Sequence, residues 1–297
     1  MNNKIIERAN VLNKLLMEKE AVFSIVYEER FKNNSMQDAF ILHGKNYNMA
    51  PIVYLNDELL HLENNVLVDH LERIFYEHAK NISFSEYVQK DYVIEHVLPR
   101  VVAATNIPNM EKENRAFIQY LDLAISFYIP VEGFNERMGY GTNETAAIQL
   151  STTNIKQIGL SAEQVKEYAL KNLEEKVRII PIMDMLRDLA PFDIEDVFEG
   201  EIPMWVVTNE TGINGAAAIL CGSAMKKLQE KLGENFVVLP SSIHECIAVT
   251  YDGEEELQNF IDMVKSVNLE LVDPEEKLTD NTYVFRGGEL VPVISKQ

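Results

Sequence analysis

Cysteine is almost missing from this chain. Two in 297 residues, Cys221 and Cys246, exclude a disulfide framework and the small stapled folds that depend on one. Tryptophan occurs once, at Trp205. Basic residues are in short supply: Lys plus Arg total 27 against 47 Asp plus Glu, a formal charge of −20. Duplex nucleic acid and anionic lipid attract basic faces, so neither general nucleic-acid binding nor a membrane-surface role is expected. No apolar run approaches the roughly 18 residues that suggest a bilayer span. The opening MNNKIIERANVLNKLLMEKE puts Glu7, Arg8 and Lys14 where a secretory leader needs an unbroken apolar stretch. A cytoplasmic protein is the expectation.

What is present is an ordinary globular composition, 46% hydrophobic and 25% charged. The length admits one large domain or two smaller ones. Ile5, Ala9, Leu12 and Leu16 recur at helical spacing over residues 3–20. AVFSIVYEERF, DAFILHG and MAPIVYLND read as strands, and Leu67, Leu71, Ile74, Phe75 and His78 mark one face of a further helix. Ser83 with Glu86 fits a capping box opening another helix, and Pro99 is expected to kink or end the pattern that follows. The polar stretch NIPNMEKEN, 106–114, is the best candidate for a boundary, which divides the chain into N-terminal 1–110 and C-terminal 111–297 subdomains.

Beyond it, YLDLAISFYI reads as a strand, VEGFNERMGYGTNE as a loop, and TAAIQLSTTNI as a strand running into a turn. Ser161 and Gln164 fit a capping box for a helix that turns Val165, Ala169 and Leu173 inward. MWVVTNE and AAAILC are expected to form a hairpin about Asn214-Gly215. GSAMKKLQEKLG reads as a helix stopped by Gly233, and NFVVLP and HECIAVTY as strands. A last helix opens at Asp252 and Glu255, with Leu257, Phe260, Ile261, Val264 and Val267 on its apolar face. Strands and helices mix without regular βαβ alternation. The expected fold class is α+β, with mixed or antiparallel sheets and packed helices.

The chemistry-bearing residues crowd into VVLPSSIHECIAV, 237–249. On an extended strand Ser242, His244 and Cys246 would share one face and Ile243, Glu245 and Ile247 the other. Ser242, His244, Glu245 and Cys246 are therefore the catalytic candidates, while Asn214, Ser241 and His244 are candidates for contacting a ligand. Each familiar template fails on a named residue. His244-Glu245 begins an HExxH pattern, but its fifth position is Ala248, so no zinc-protease site follows. No G-x-S-x-G elbow surrounds either serine. Gly139-Tyr-Gly141 is a lone G-x-G without a lysine. His70 and His78 are spaced too widely to hold one ion, and Asp69 and Glu77 read as a solvated face. No metal and no cofactor is expected. Pro240-Ser241-Ser242 also reads simply as a corner whose hydroxyls cap backbone groups.

NMAPIVYLND, YLDLAISFYIPVE, GLSAEQVKEYALKNL and above all the NGAAAIL and LPSSIHE segments resemble a large family of uncharacterised bacterial proteins, common in gut anaerobes, that carries a domain-of-unknown-function label. The resemblance runs over nearly the whole chain. It implies no activity, cofactor or ligand. A weaker similarity links GLSAEQVKEYALKNL, 159–173, the later strand-hairpin-helix unit and the proline-serine corner to a second such family, from Gram-positive bacteria. That family often has an arginine-aspartate pair after the proline-serine, where this chain reads Ser242, Ile243, His244 and Glu245. The reading that follows is a non-catalytic binding or regulatory protein with a protein partner or a small ligand. The alternatives are a hydrolase centred on the 242–246 corner, and an acidic interaction protein of a mobile element or phage-defence conflict.

Overall fold

A computed structural model describes residues 2–79, 81–131, 137–138, 142–143, 147–189 and 203–293. The chain divides into two compact units, Met1–Phe84 and Ser85–Gln297. The fold is α+β, and every strand pairing described is antiparallel.

In the first unit, helix α1 (Asn2–Glu18) is followed by strands β1 (Phe23–Lys32), β2 (Ser35–Gly44) and β3 (Ile52–Tyr54), then helices α2 (Asp57–His61) and α3 (Asn64–His78). The strands form one sheet in the order β1-β2-β3. Strands β1 and β2 join through Asn33 and Asn34, with Asn34 in the left-handed region at φ 60°, a conformation asparagine tolerates. The row Ile5, Ala9, Leu12 and Leu16, spaced by four, three and four residues, is buried, as that helical spacing dictates, against Phe23, Ile25, Phe40, Leu42 and the α3 residues Leu67, Leu71 and Phe75. Phe23 stacks on Phe75 with ring centroids 4.3 Å apart. The guanidinium of Arg8 donates to the carbonyls of Leu60 and Leu62 at the C-terminal end of α2 and to Asn64 at the start of α3.

A short helix α4 (Phe84–Tyr87) crosses the boundary between the units. In the second unit come helix α5 (Lys90–His96), strand β4 (Leu98–Ala103), helix α6 (Ile107–Lys112), strands β5 (Phe117–Tyr120), β6 (Leu123–Pro130), β7 (Arg137–Met138), β8 (Thr142–Asn143) and β9 (Ala147–Gln149), and helices α7 (Thr152–Gln157) and α8 (Ala162–Glu174). They are followed by strand β10 (Val177–Pro181), helix α9 (Ile182–Leu189), strand β11 (Met204–Asn209), helix α10 (Gly222–Leu232), strands β12 (Phe236–Pro240) and β13 (Cys246–Val249), helix α11 (Glu254–Glu270), and strands β14 (Tyr283–Arg286) and β15 (Glu289–Pro292). Strand β6 pairs with β4 along one edge and with β5 and then β9 along the other; β7 pairs with β8. The larger sheet has six strands in the order β10-β11-β13-β12-β14-β15.

Several sequence expectations need correction. Pro99 does follow the end of a helix, since α5 stops at His96 with Val97 as its cap, but Pro99 itself lies in β4, which among the described residues pairs with β6 alone, and an edge strand tolerates a residue without an N–H. The polar 106–114 stretch holds helix α6, with proline at its first turn and Met110 buried. The boundary drawn at 110/111 runs between β4 and the strand β6 that pairs with it, whereas the compact units divide at 84/85. AAAILC is not a strand: Gly215–Leu220 forms a 3-10 helix, with Asn214 in the left-handed region and Ala216, Ala217 and Ala218 all buried. Small side chains let that turn lie close under its neighbours. Helix α11 is capped by Gly253 rather than Asp252, and Val267 is exposed rather than inward-facing. Gly139 and Gly141 lie outside the described residues.

Candidate functional site

Strands β12 and β13 are central strands joined by the loop 241–245; their pairing ends at Pro240 opposite Cys246. The face alternation expected for an extended 242–247 does not occur, because the strand begins only at Cys246. Within the loop, the Ser242 N–H donates to the Glu245 carbonyl at 3.1 Å. The Ser242 hydroxyl accepts from the His244 N–H at 2.9 Å and donates to Glu245 Oε1 at 2.8 Å. The hydroxyl thus closes the turn, as serine does where backbone groups need partners. Ser241, the preceding loop residue, is half-buried.

The loop rests on the segment that follows β11. Thr208 Oγ1 donates to the His244 carbonyl at 2.8 Å, and the Ala216 N–H donates to the Ile243 carbonyl at 3.3 Å. The Asn214 N–H donates to His244 Nδ1 at 3.2 Å. That bond fixes the neutral ring as the tautomer with its proton on Nε2. Nε2 lies 3.7 Å from Glu276 Oε1, with the two side chains 15% and 47% exposed. The Glu276 carbonyl accepts from the Ile243 N–H at 2.8 Å. Gly215 makes the close approach possible: a Cβ there would lie 2.2 Å from Thr208 Oγ1 and 2.5 Å from the His244 carbonyl oxygen.

Beneath Asn214 lies β6. The phenol of Tyr128 is hydrogen-bonded to the Asn214 side chain; burial raises its pKa, an effect that the Asn214 bond and the charge of Arg100 oppose without cancelling. Arg100, opposite Ser126, and Gln149, opposite Tyr128, share that sheet face. Cys246 is fully buried, and burial followed by the charge of Glu245 pushes its thiol well above the ordinary range. Cys221 is likewise buried, and its thiol is pushed up to about 12.

The structure thus brings Ser242, His244, Glu245 and Asn214 together and buries Cys246 at the start of β13, between Val207 and Pro240. Sequence reasoning missed Thr208, Tyr128, Gly215's close approach and Glu276. Tyr128 and Glu276 lie too far along the chain for any local pattern to connect them with His244. Thr208 had a local signal, since it precedes Asn209, whose side chain accepts from the Thr211 N–H in the turn leading to Asn214. Among the described residues no group of three or more His, Cys, Asp or Glu is placed to hold a metal ion. No helix among them is long and apolar enough to cross a membrane.

An antiparallel α+β protein with a self-bonded polar loop over a buried polar sheet face is the class these elements define. Residues 8–287 match the model of the family of unknown function DUF5688, and the chain belongs to that family. No curated protein and no solved structure matches it.

Proposed function

We propose that this is a non-catalytic binding protein of the cytoplasm, for which the loop 241–245 and the segment 208–216 form a recognition surface rather than an active site. The observation that carries this reading is the bond from the Asn214 N–H to His244 Nδ1. A general base needs an unprotonated ring nitrogen facing the proton it takes. Here the unprotonated nitrogen faces a backbone donor, while Nε2–H faces Glu276. Ser242 is engaged in closing the turn and Cys246 is buried as a thiol, which favours recognition over the hydrolase alternative. The pair His244 and Glu276, a donor beside a carboxylate, is where a partner or small ligand would be read. The buried, unpaired Cys221 and Cys246 fit a reducing compartment.

The test is a panel of ester, amide and phosphoester substrates, run on the wild-type chain and on Ser242→Ala and His244→Ala, beside native mass spectrometry of the purified protein. The expected result is no turnover that depends on either residue, with bound species, where retained, weakened by His244→Ala. A turnover abolished by both substitutions in folded protein would establish an active site and end this reading.

A further inference from the structure

Among the described residues of the second unit, the large apolar side chains left exposed are Met263, Val267, Leu269 and Leu271, all within the C-terminal half of α11 and its cap. Their exposures are 41%, 39%, 85% and 79%. Helix α11 has its own inward stripe, with Phe260, Ile261, Val264 and Asn268 buried. Met263, Val267 and Leu271 recur every fourth residue, so they form a second, outward row beside that stripe, about 12 Å long at 1.5 Å per residue. The row stands on a fixed support. Phe260 and Val264 pack with Val237, Leu239, Val249 and Val284 of the six-stranded sheet. The buried Asn268 amide donates to the Thr279 carbonyl at 2.8 Å and to Asp280 at 3.0 Å.

We propose that this row docks a basic amphipathic helix of a partner protein. The choice of occupant follows from charge. Glu270 lies beside the row, three residues after Val267, and Glu256 lies one heptad before Met263, about 10 Å short of it along the axis; both are within about 20° of Met263 round the helix. The chain as a whole carries −20. A second copy pairing through the same row would set glutamates against glutamates, which disfavours it. An anionic membrane is repelled for the same reason. A helix with apolar residues at every third or fourth position and lysine or arginine alongside matches both the ridge and its rim. The proposal goes beyond the recognition loop: it concerns a different surface and stands or falls separately.

The experiment titrates the full chain with a labelled synthetic Leu/Lys amphipathic helical peptide, followed by fluorescence anisotropy. A peptide of identical composition in scrambled order serves as control. Met263→Glu and Val267→Glu are exposed changes, and their folding is checked by circular dichroism. Saturable binding of the amphipathic peptide, weakened at least about tenfold by either substitution, is the expected result. Adhesion through net charge alone predicts the opposite sign, because each substitution adds a negative charge. Equal binding of the scrambled peptide, or affinity unchanged or raised by Met263→Glu, overturns the proposal. So does a dimer seen in sedimentation that Met263→Glu dissolves, since the occupant is then a second copy.

Discussion

Two turns in the second unit join antiparallel strands with polar residues and use them in opposite ways. The loop 241–245, between β12 and β13, turns its serine and glutamate onto itself, and every partner of Ser242 lies within three residues. The turn between β5 and β6 holds Leu121 in the left-handed region at φ 56° and sends the carboxylate of Asp122 outward to β14 and its approach. There Asp122 accepts from Tyr283 at 2.6 Å, from Asn281 at 2.9 Å and from the Thr279 hydroxyl. The serine of one turn is satisfied locally; the aspartate of the other fastens the sheet containing β6 to the sheet containing β14. Burial, then the Asp122 bond and charge, push the Tyr283 phenol well above its ordinary range.

If that contrast is sound, the largest loss comes from Asp122→Ala. It leaves the phenol of Tyr283 and two other donors without their acceptor, and a buried donor so orphaned costs about 1–3 kcal/mol. A total near 3 kcal/mol is expected in denaturant unfolding, with Asp122→Asn milder because an amide oxygen still accepts. A loss below half of that would show the clasp to be incidental.

Next in size is the floor of the 241–245 loop. Gly215→Ala drives a methyl group against Thr208 and the His244 carbonyl. Overpacking of this kind costs about 1–3 kcal/mol. The expected signs are a lowered melting temperature and displaced amide resonances at His244 and Asn214. Unchanged resonances would mean that the loop does not rest on that turn.

The smallest effect is electrostatic and sharpens the picture of the clasp. Thr279 and Asn281 hold Asp122, while Asp280 between them bonds Lys277 and Asn268. Burial raises the Asp280 carboxyl, but the bonds from Lys277 and Asn268, with the charges of Lys277 and Lys265, outweigh it and leave its pKa below 3.8. Its contribution is therefore present above the unfolded value near 3.8 and lost as the pH falls through the lower, folded one. Its side chain is 46% exposed, so solvent keeps the effect modest. Thermal melts on acidification should separate wild type from Asp280→Asn, with the wild type losing more; parallel curves would remove Asp280 from the clasp.

Local rules carried the sequence reading a long way. The Ser161 capping box, the inward face of Val165, Ala169 and Leu173, the α1 row and the strands on either side of Pro240 all stand where periodicity and turn chemistry put them. The failures have physical causes. Asn-Gly followed by alanines suits a hairpin as readily as a 3-10 turn, and only the approach of the His244 carbonyl to Gly215 decides between them. That Pro99, just past the end of α5, lies within an edge strand depends on the pairing of β4 with the distant β6. Val267 has the spacing of a buried residue, yet only neighbours that are not on its own helix determine whether it is covered. At the candidate site, His244 and Ser242 stood out by residue type. The tautomer of His244, its partners and the supporting phenol depend on contacts from Asn214, Glu276 and Tyr128 that no local window contains.

The Asp122 clasp also bears on the order in which the chain acquires its structure. Its partners lie 157 to 161 residues further along the sequence. During synthesis the β5–β6 turn leaves the ribosome long before the strand that fastens it, and a loop of that span closes slowly. Until residues 279–283 arrive, the carboxylate of Asp122 is hydrated and the edge of β12 that later pairs with β14 is open, so the nascent second unit passes through a stage in which it can take up a foreign strand.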